Sequence, residues 1–251
     1  MYNDIVDLRS FYDSGLGHVT RRLIRRQLRT LWPNLRGLSL LGIGYTAPFM
    51  RPFLEEARPL INVMPAAQGV SHWPPEGPGT VALADEAELP LEAESVDRVL
   101  LVHGFECSEK RRIMMREIWR ILRPEGRLIV IVPNRLGLWA RTERTPFGHG
   151  YPYTQSQLYR MLRDTLFVPE RHAGALYMPP WRSRLLMRAA PAWEKLGGRW
   201  LPGLSGVTLV EAAKQLYATS GTGAAERRRP FLVPLPAPAA RPASGRERAD
   251  A

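Results

Sequence analysis

The stretch Leu38-Ser39-Leu40-Leu41-Gly42-Ile43-Gly44-Tyr45-Thr46-Ala47 decides the architecture. A short apolar run ends on two glycines, and a helix-compatible segment opens at Ala47 with Pro48 in its first turn. A buried strand that feeds through a tight turn into a helix is the repeating unit of an alternating α/β fold. Glycines at this spacing let a backbone turn sharply and come close to a ligand. The helix start beyond them offers free N–H groups and the positive end of a dipole. A plain strand-to-helix turn reads the same way.

The pattern continues outward on both sides. Residues 16–32 place Leu16, Val19, Leu23, Ile24, Leu28 and Leu31 at helical spacing, with arginines on the opposite face. A helix is expected at 47–57, and short apolar strands at 60–63, 80–83 and 96–102. A helix over about 108–122 buries Met114, Ile118, Ile121 and Leu122, and Pro124 with Gly126 ends it. The run Arg127-Leu128-Ile129-Val130-Ile131-Val132 is the clearest strand. A helix at about 154–165 and strands near 167–177 and 206–212 complete the alternation. Near-continuous apolar strands belong to a parallel sheet covered on both faces. Ligands of such sheets bind beyond the carboxyl ends of the strands, where the strand order switches.

The 251-residue chain has 45% hydrophobic and 24% charged residues, which excludes a wholly disordered, collagen-like or coiled-coil chain. One cysteine, Cys107, excludes an internal disulfide and points to a reducing, cytoplasmic setting. No leader peptide is read at Met1-Tyr2-Asn3-Asp4, and no apolar run reaches membrane-spanning length. The formal charge is +11, yet only Lys110, Lys195 and Lys214 are lysines among 35 basic residues. Arginine, alanine and proline are abundant together, as genome base composition alone can produce. Nucleic acid or an anionic membrane is the functional reading of the charge, and it is not the favoured one. Three regions are expected: a helical cap over 1–35, a main domain over 36–220 with an insertion at 178–204, and a disordered Pro/Ala/Arg-rich tail over 221–251.

The residues after each strand are the candidates for chemistry. Gly42, Ile43, Gly44 and Tyr45 follow the first strand, and Gly-x-Gly-x-x-Ala also fits a dinucleotide fingerprint. The second strand ends Asn62-Val63-Met64-Pro65, with no acid to hold a ribose. Asp85 and Glu86 follow the third strand, where a carboxylate can accept from an exocyclic amine or cap a helix. His103 follows the fourth, where it can act as a general base or be structural. The loop 138–151 follows the fifth strand and supplies Arg141, Arg144, His149 and Tyr151, groups suited to an acidic or aromatic acceptor or to pairing at the surface. His18, His72, His149 and His172 show no metal-ligand spacing, so no metal is expected.

Three segments together resemble the class I S-adenosylmethionine-dependent methyltransferases of the methyltransferase type 11 group. They are LSLLGIGY (38–45), ADEAELPLEAESVDRVLLVHGFE (84–106) and REIWRILRPEGRLIVIVPN (116–134). The chain departs from the family pattern at Ala84 and Glu125, each in place of a glycine, at Cys107, in place of a histidine, and at Met64, in place of the ribose-binding acid. The resemblance implies a doubly wound, mostly parallel seven-stranded Rossmann-like sheet with helices on both faces. It implies S-adenosyl-L-methionine as cofactor, held by Gly42, Ile43, Gly44, Tyr45, Asp85 and Glu86, with His103 near the methyl-bearing sulfur. It further implies in-line methyl transfer to a small-molecule acceptor. A degenerate binding or regulatory protein on the same fold is the alternative, motivated by Met64. A nicotinamide-dependent oxidoreductase explains only the glycine spacing.

Overall fold

A computed structural model describes residues 3–216. The chain through Leu216 forms one compact unit. The expected break at 221–251 lies outside the described residues.

Two helices come first. Helix α1 (Ile5–Asp13) is capped by Asp4, whose side chain accepts from the Val6 N–H. Helix α2 (Gly15–Leu31) is capped by Ser14, which accepts from the Gly17 N–H. Strand β1 (Leu40–Gly44) runs through the glycines to Gly44 and leads into α3 (Ala47–Met50). The helix expected over 47–57 stops after one turn and continues as a 3-10 turn at Arg51–Phe53. Pro52 has no N–H to give to the Pro48 carbonyl, and that oxygen accepts from Arg25 Nε at 2.6 Å instead.

Strands β2 (Leu60–Pro65), β3 (Val81–Ala84) and β4 (Val96–Val102) follow. Helix α4 (Arg111–Ile121), strand β5 (Leu122–Pro133), helix α5 (Gln155–Asp164) and strand β6 (Phe167–Ala175) come next. Helices α6 (Arg184–Arg188) and α7 (Ala190–Trp200) precede strand β7 (Val207–Lys214). The sheet order is β3-β2-β1-β4-β5-β7-β6. Strands β1 to β5 pair in parallel, whereas β7 is antiparallel to both β5 and β6. The expectation of seven strands and two helical layers holds, but the mostly parallel sheet is corrected to a mixed one. β7 reaches its slot through the 178–204 segment rather than a return crossover, so it enters from the opposite end.

Side chains alternate across the sheet with a period of two. Leu40, Leu100, Ile129 and Leu209 face one core with Leu23, Ile24 and Leu28 of α2. Leu41, Leu101, Val130 and Val210 face the other with Met114 and Ile118 of α4 and Leu158 and Leu162 of α5. The strand order reverses between β1 and β4. Their carboxyl ends, at Gly44 and His103, therefore form the switch point.

Candidate functional site

The glycine turn is shaped by the protein itself. Gly44 has φ +83°, and a methyl there would overlap the Val102 carbonyl oxygen. A methyl at Gly42 would overlap the Thr46 hydroxyl and the Met50 sulfur. Both positions need glycine because neighbouring strand and helix atoms already occupy the space. Thr46 Oγ1 donates to Asn62 Oδ1 at 2.7 Å, which ties the turn to β2.

Helix α1 lies over this turn. Tyr12 is fully buried, edge-on to Phe49 and tilted against Tyr45 at a ring distance of 5.6 Å. Its hydroxyl sits 2.6 Å from His103 Nε2. Phe147, from the loop after β5, packs 5.0 Å from the His103 ring. Gly42, Ile43, Gly44, Tyr45 and His103 are all buried.

His103 stands in a left-handed backbone conformation, φ +52°, that non-glycine residues seldom adopt. Its backbone oxygen accepts from Gln68 Nε2 at 2.8 Å. Burial raises the Tyr12 pKa well above that of a free phenol, aided by Tyr45 and Glu106. Tyr12 therefore keeps its proton, and its hydroxyl shares a hydrogen bond with Nε2. Nδ1 faces Glu106 Oε1 at 3.3 Å without a hydrogen bond. Four buried polar atoms at this crest have no hydrogen-bond partner among the described residues: Asn62 Nδ2, Gln68 Oε1, His103 Nδ1 and Glu106 Oε2. Orphaned buried groups are costly, about 1–3 kcal/mol each, and concentrate where a ligand or motion resolves them.

The neighbouring region is open. A cavity of about 1080 Å³ is lined by Ala66 and Ala67 after β2, Asp85 and Glu86 after β3, Cys107 and Lys110 after β4, and Asp7 and Phe11 of α1. Asp85 accepts from the Ala87 N–H and pairs with Lys110 at 3.0 Å, and these two contacts, in that order, hold its carboxyl below the usual range. Glu86 accepts from Ser108 at 3.2 Å. Burial pushes the Cys107 thiol up to about 12, so it is no nucleophile. Met64, at the expected place of the ribose acid, is fully buried in the α1–α2 core.

The expected acceptor residues divide. Arg144 and His149 line the main cavity. Arg141 and Arg144 line a second depression of about 940 Å³ with Trp181 and Arg182. Tyr151 lies outside both, its ring stacked under Arg111 at 4.7 Å. Sequence reasoning considered Asn62 as a ribose acceptor and Glu106 as a helix-start residue, but missed Gln68 and the pairing of Tyr12 with His103. The signal was present only as polar residues within otherwise apolar strand ends. Among the described residues, no group of three His, Cys, Asp or Glu could hold a metal ion.

An adenosyl group tests the two regions differently. The open cavity beside Asp85 and Glu86 has room and acceptors for a purine. The glycine turn and His103 are reached only when Tyr12 withdraws. The orphaned Asn62, Gln68, His103 and Glu106 atoms lie at the closed end of this crest.

Comparison with known proteins places this geometry. Residues 47–130 match the family model described as a methyltransferase domain. The uncharacterised protein YafS of Escherichia coli (strain K12) is 24% identical over 209 residues, covering 81% of this chain and 79% of its own. A methyltransferase structure from Archaeoglobus fulgidus superposes with a TM-score of 0.57 at 20% identity, over 83% of this chain and 98% of its own. The 1,6-didemethyltoxoflavin-N1-methyltransferase of Burkholderia thailandensis, solved with bound 1,6-didemethyltoxoflavin and S-adenosylhomocysteine, superposes with a TM-score of 0.54 at 17% identity, over 84% of this chain and 85% of its own.

Proposed function

We propose that the chain is a class I S-adenosylmethionine-dependent methyltransferase that methylates a small-molecule acceptor, with His103 as the general base; the methyltransferase-domain match over residues 47–130 supports this reading. The observation that carries this reading is the place of His103 at the switch point, with Nε2 2.6 Å from the Tyr12 hydroxyl and Nδ1 3.3 Å from Glu106 Oε1. A carboxylate behind an imidazole fixes its tautomer and stabilises the imidazolium once a proton is taken up.

When bound, S-adenosylmethionine supplies an electrophilic methyl group. Asp85 and Glu86 hold the purine end, and the turn Gly42-Ile43-Gly44-Tyr45 holds the methionyl end. With Met64 unable to accept from a ribose, Gln68 Oε1 is the acceptor left to do so, and Asn62 Nδ2 can donate to a ribose oxygen. Arg144 and His149 recognise the acceptor from the cavity wall. Tyr45, Phe49 and Phe147 exclude water around the imidazole. Positioning of this kind is worth about 7–11 kcal/mol of barrier when the reacting groups are well aligned.

Helix α1 sets the affinity. Burying Phe11 and Tyr12 is worth about 1.5–3 kcal/mol each, so opening costs about 3–6 kcal/mol. Net micromolar binding, about 8 kcal/mol, then needs an intrinsic affinity of about 11–14 kcal/mol.

Calorimetry with S-adenosylhomocysteine tests the reading. Binding in the micromolar range is expected, and Asp85→Ala should weaken it about tenfold, or ~1.4 kcal/mol, without changing Tm. A folded protein that shows no heat at millimolar ligand sinks the proposal.

A further inference from the structure

The 178–204 segment turns much of its apolar surface to solvent. Among the described residues, seven of the 17 exposed large apolar side chains lie from Trp181 to Leu204. Leu185 is 77% exposed, Trp200 71% and Trp181 62%. On α7, Trp193, Leu196 and Trp200 recur at three- and four-residue spacing and so share one stripe. Ala190 and Gly197 are the buried residues of that helix.

The charges around this stripe have one sign. Arg182, Arg184, Arg188, Lys195 and Arg199 are all exposed. The acid of the segment, Glu194, is turned inward, where it accepts from the Leu176 and Tyr177 N–H groups at 3.2 and 2.7 Å. Burial raises its pKa, which further weakens it as a surface charge. Exposed tryptophan and leucine flanked by arginine and lysine match a bilayer interface, with apolar groups entering the acyl boundary and cations meeting anionic headgroups. A contiguous exposed apolar patch of this kind marks an interaction surface.

We propose that residues 181–204 dock the protein on anionic lipid membranes. Among the described residues no helix is long and apolar enough to cross a membrane, so the contact is peripheral. Arg182 also lines both cavities, which sets the docking surface at their rim. The proposal does not rest on methyl transfer, since vesicle binding requires no cofactor.

The test is co-sedimentation of the full chain with vesicles of phosphatidylcholine containing about one third phosphatidylglycerol, beside pure phosphatidylcholine vesicles. Binding to the anionic vesicles, a blue shift of tryptophan emission and loss of binding at high salt are expected. Leu196→Ser with Trp200→Ser, and separately Arg188→Glu with Arg199→Glu, should each reduce partitioning at least tenfold. Their side chains are exposed, so Tm should hold, and a single Trp200→Ser serves if the pair lowers it. Unchanged partitioning in these variants overturns the proposal. So does binding that disappears only when Arg227, Arg228 and Arg229 are replaced by alanine. Two other results also overturn it: a dimer in sedimentation that the Trp200 variant breaks while vesicles stay unbound, or capture of an RNA oligonucleotide without vesicle binding.

Discussion

The two halves of the sheet crest use opposite physics. At β1 and β4 the groups are buried, aromatic and short of hydrogen-bond partners, closed beneath Tyr12. At the end of β3, beside Asp85, they are solvated and ion-paired with Lys110. A charge in the open half meets water and screening, so removing it changes little. A polar group in the closed half has no such refuge, so each one carries a cost that only a partner or a movement relieves.

The strongest way to break this comparison is His103→Ala. It should lower kcat by about 10²–10⁴-fold while S-adenosylhomocysteine affinity stays within about tenfold. Equal loss in both quantities would make His103 a structural residue. Next in size is Gly44→Ala, whose methyl meets the Val102 carbonyl at a positive φ. It should cost about 1–3 kcal/mol or more by thermal unfolding, against no change for Asp85→Ala. If the two lose equal stability, the closed half is no tighter than the open one.

Tyr12→Phe sharpens the point. It strands His103 Nε2 in the closed form, a loss of about 1–3 kcal/mol. If α1 must open before ligand enters, apparent S-adenosylhomocysteine affinity should rise by up to about that amount. Weaker binding would show that Tyr12 belongs to the ligand-bound state instead.

The smallest effect lies away from the crest. Glu56 anchors α2 to the turn after α3, pairing with Arg29 at 2.6 Å and accepting from the Leu35 N–H at 3.1 Å. The Arg29 hydrogen bond holds its carboxyl below the usual range. Its stabilisation is therefore complete above the ordinary carboxylate pKa and disappears as pH falls through the lowered folded value. Glu56→Gln should cost about 1 kcal/mol at neutral pH and nothing in strong acid. A difference from wild type that persists below the folded pKa would refute the assignment.

Much of this was legible in the residues. Val96–Val102 matches its expected strand end for end, because seven residues bounded by turn signals leave little choice. The helix at 108–122 was found with ragged ends, since Lys110 rather than an oxygen-bearing side chain starts α4. The helix at 47–57 was overdrawn because local propensity ignores the missing Pro52 donor. The 178–204 stretch hid α6 and α7 behind its Pro and Trp content, and helix α1 went unread as a separate element although Asp4 caps it.

By itself the sequence determined the alternation of strand and helix, the glycine turn and the residues that end each strand. Those features are local, written in periods of two and 3.6 and in backbone freedom at single positions. The reversal of β7 and the descent of Tyr12 onto His103, 91 residues away, came only from the tertiary structure. The exposure of Trp200 came from there as well. Contacts between distant segments depend on which faces pack, and no local pattern encodes that choice.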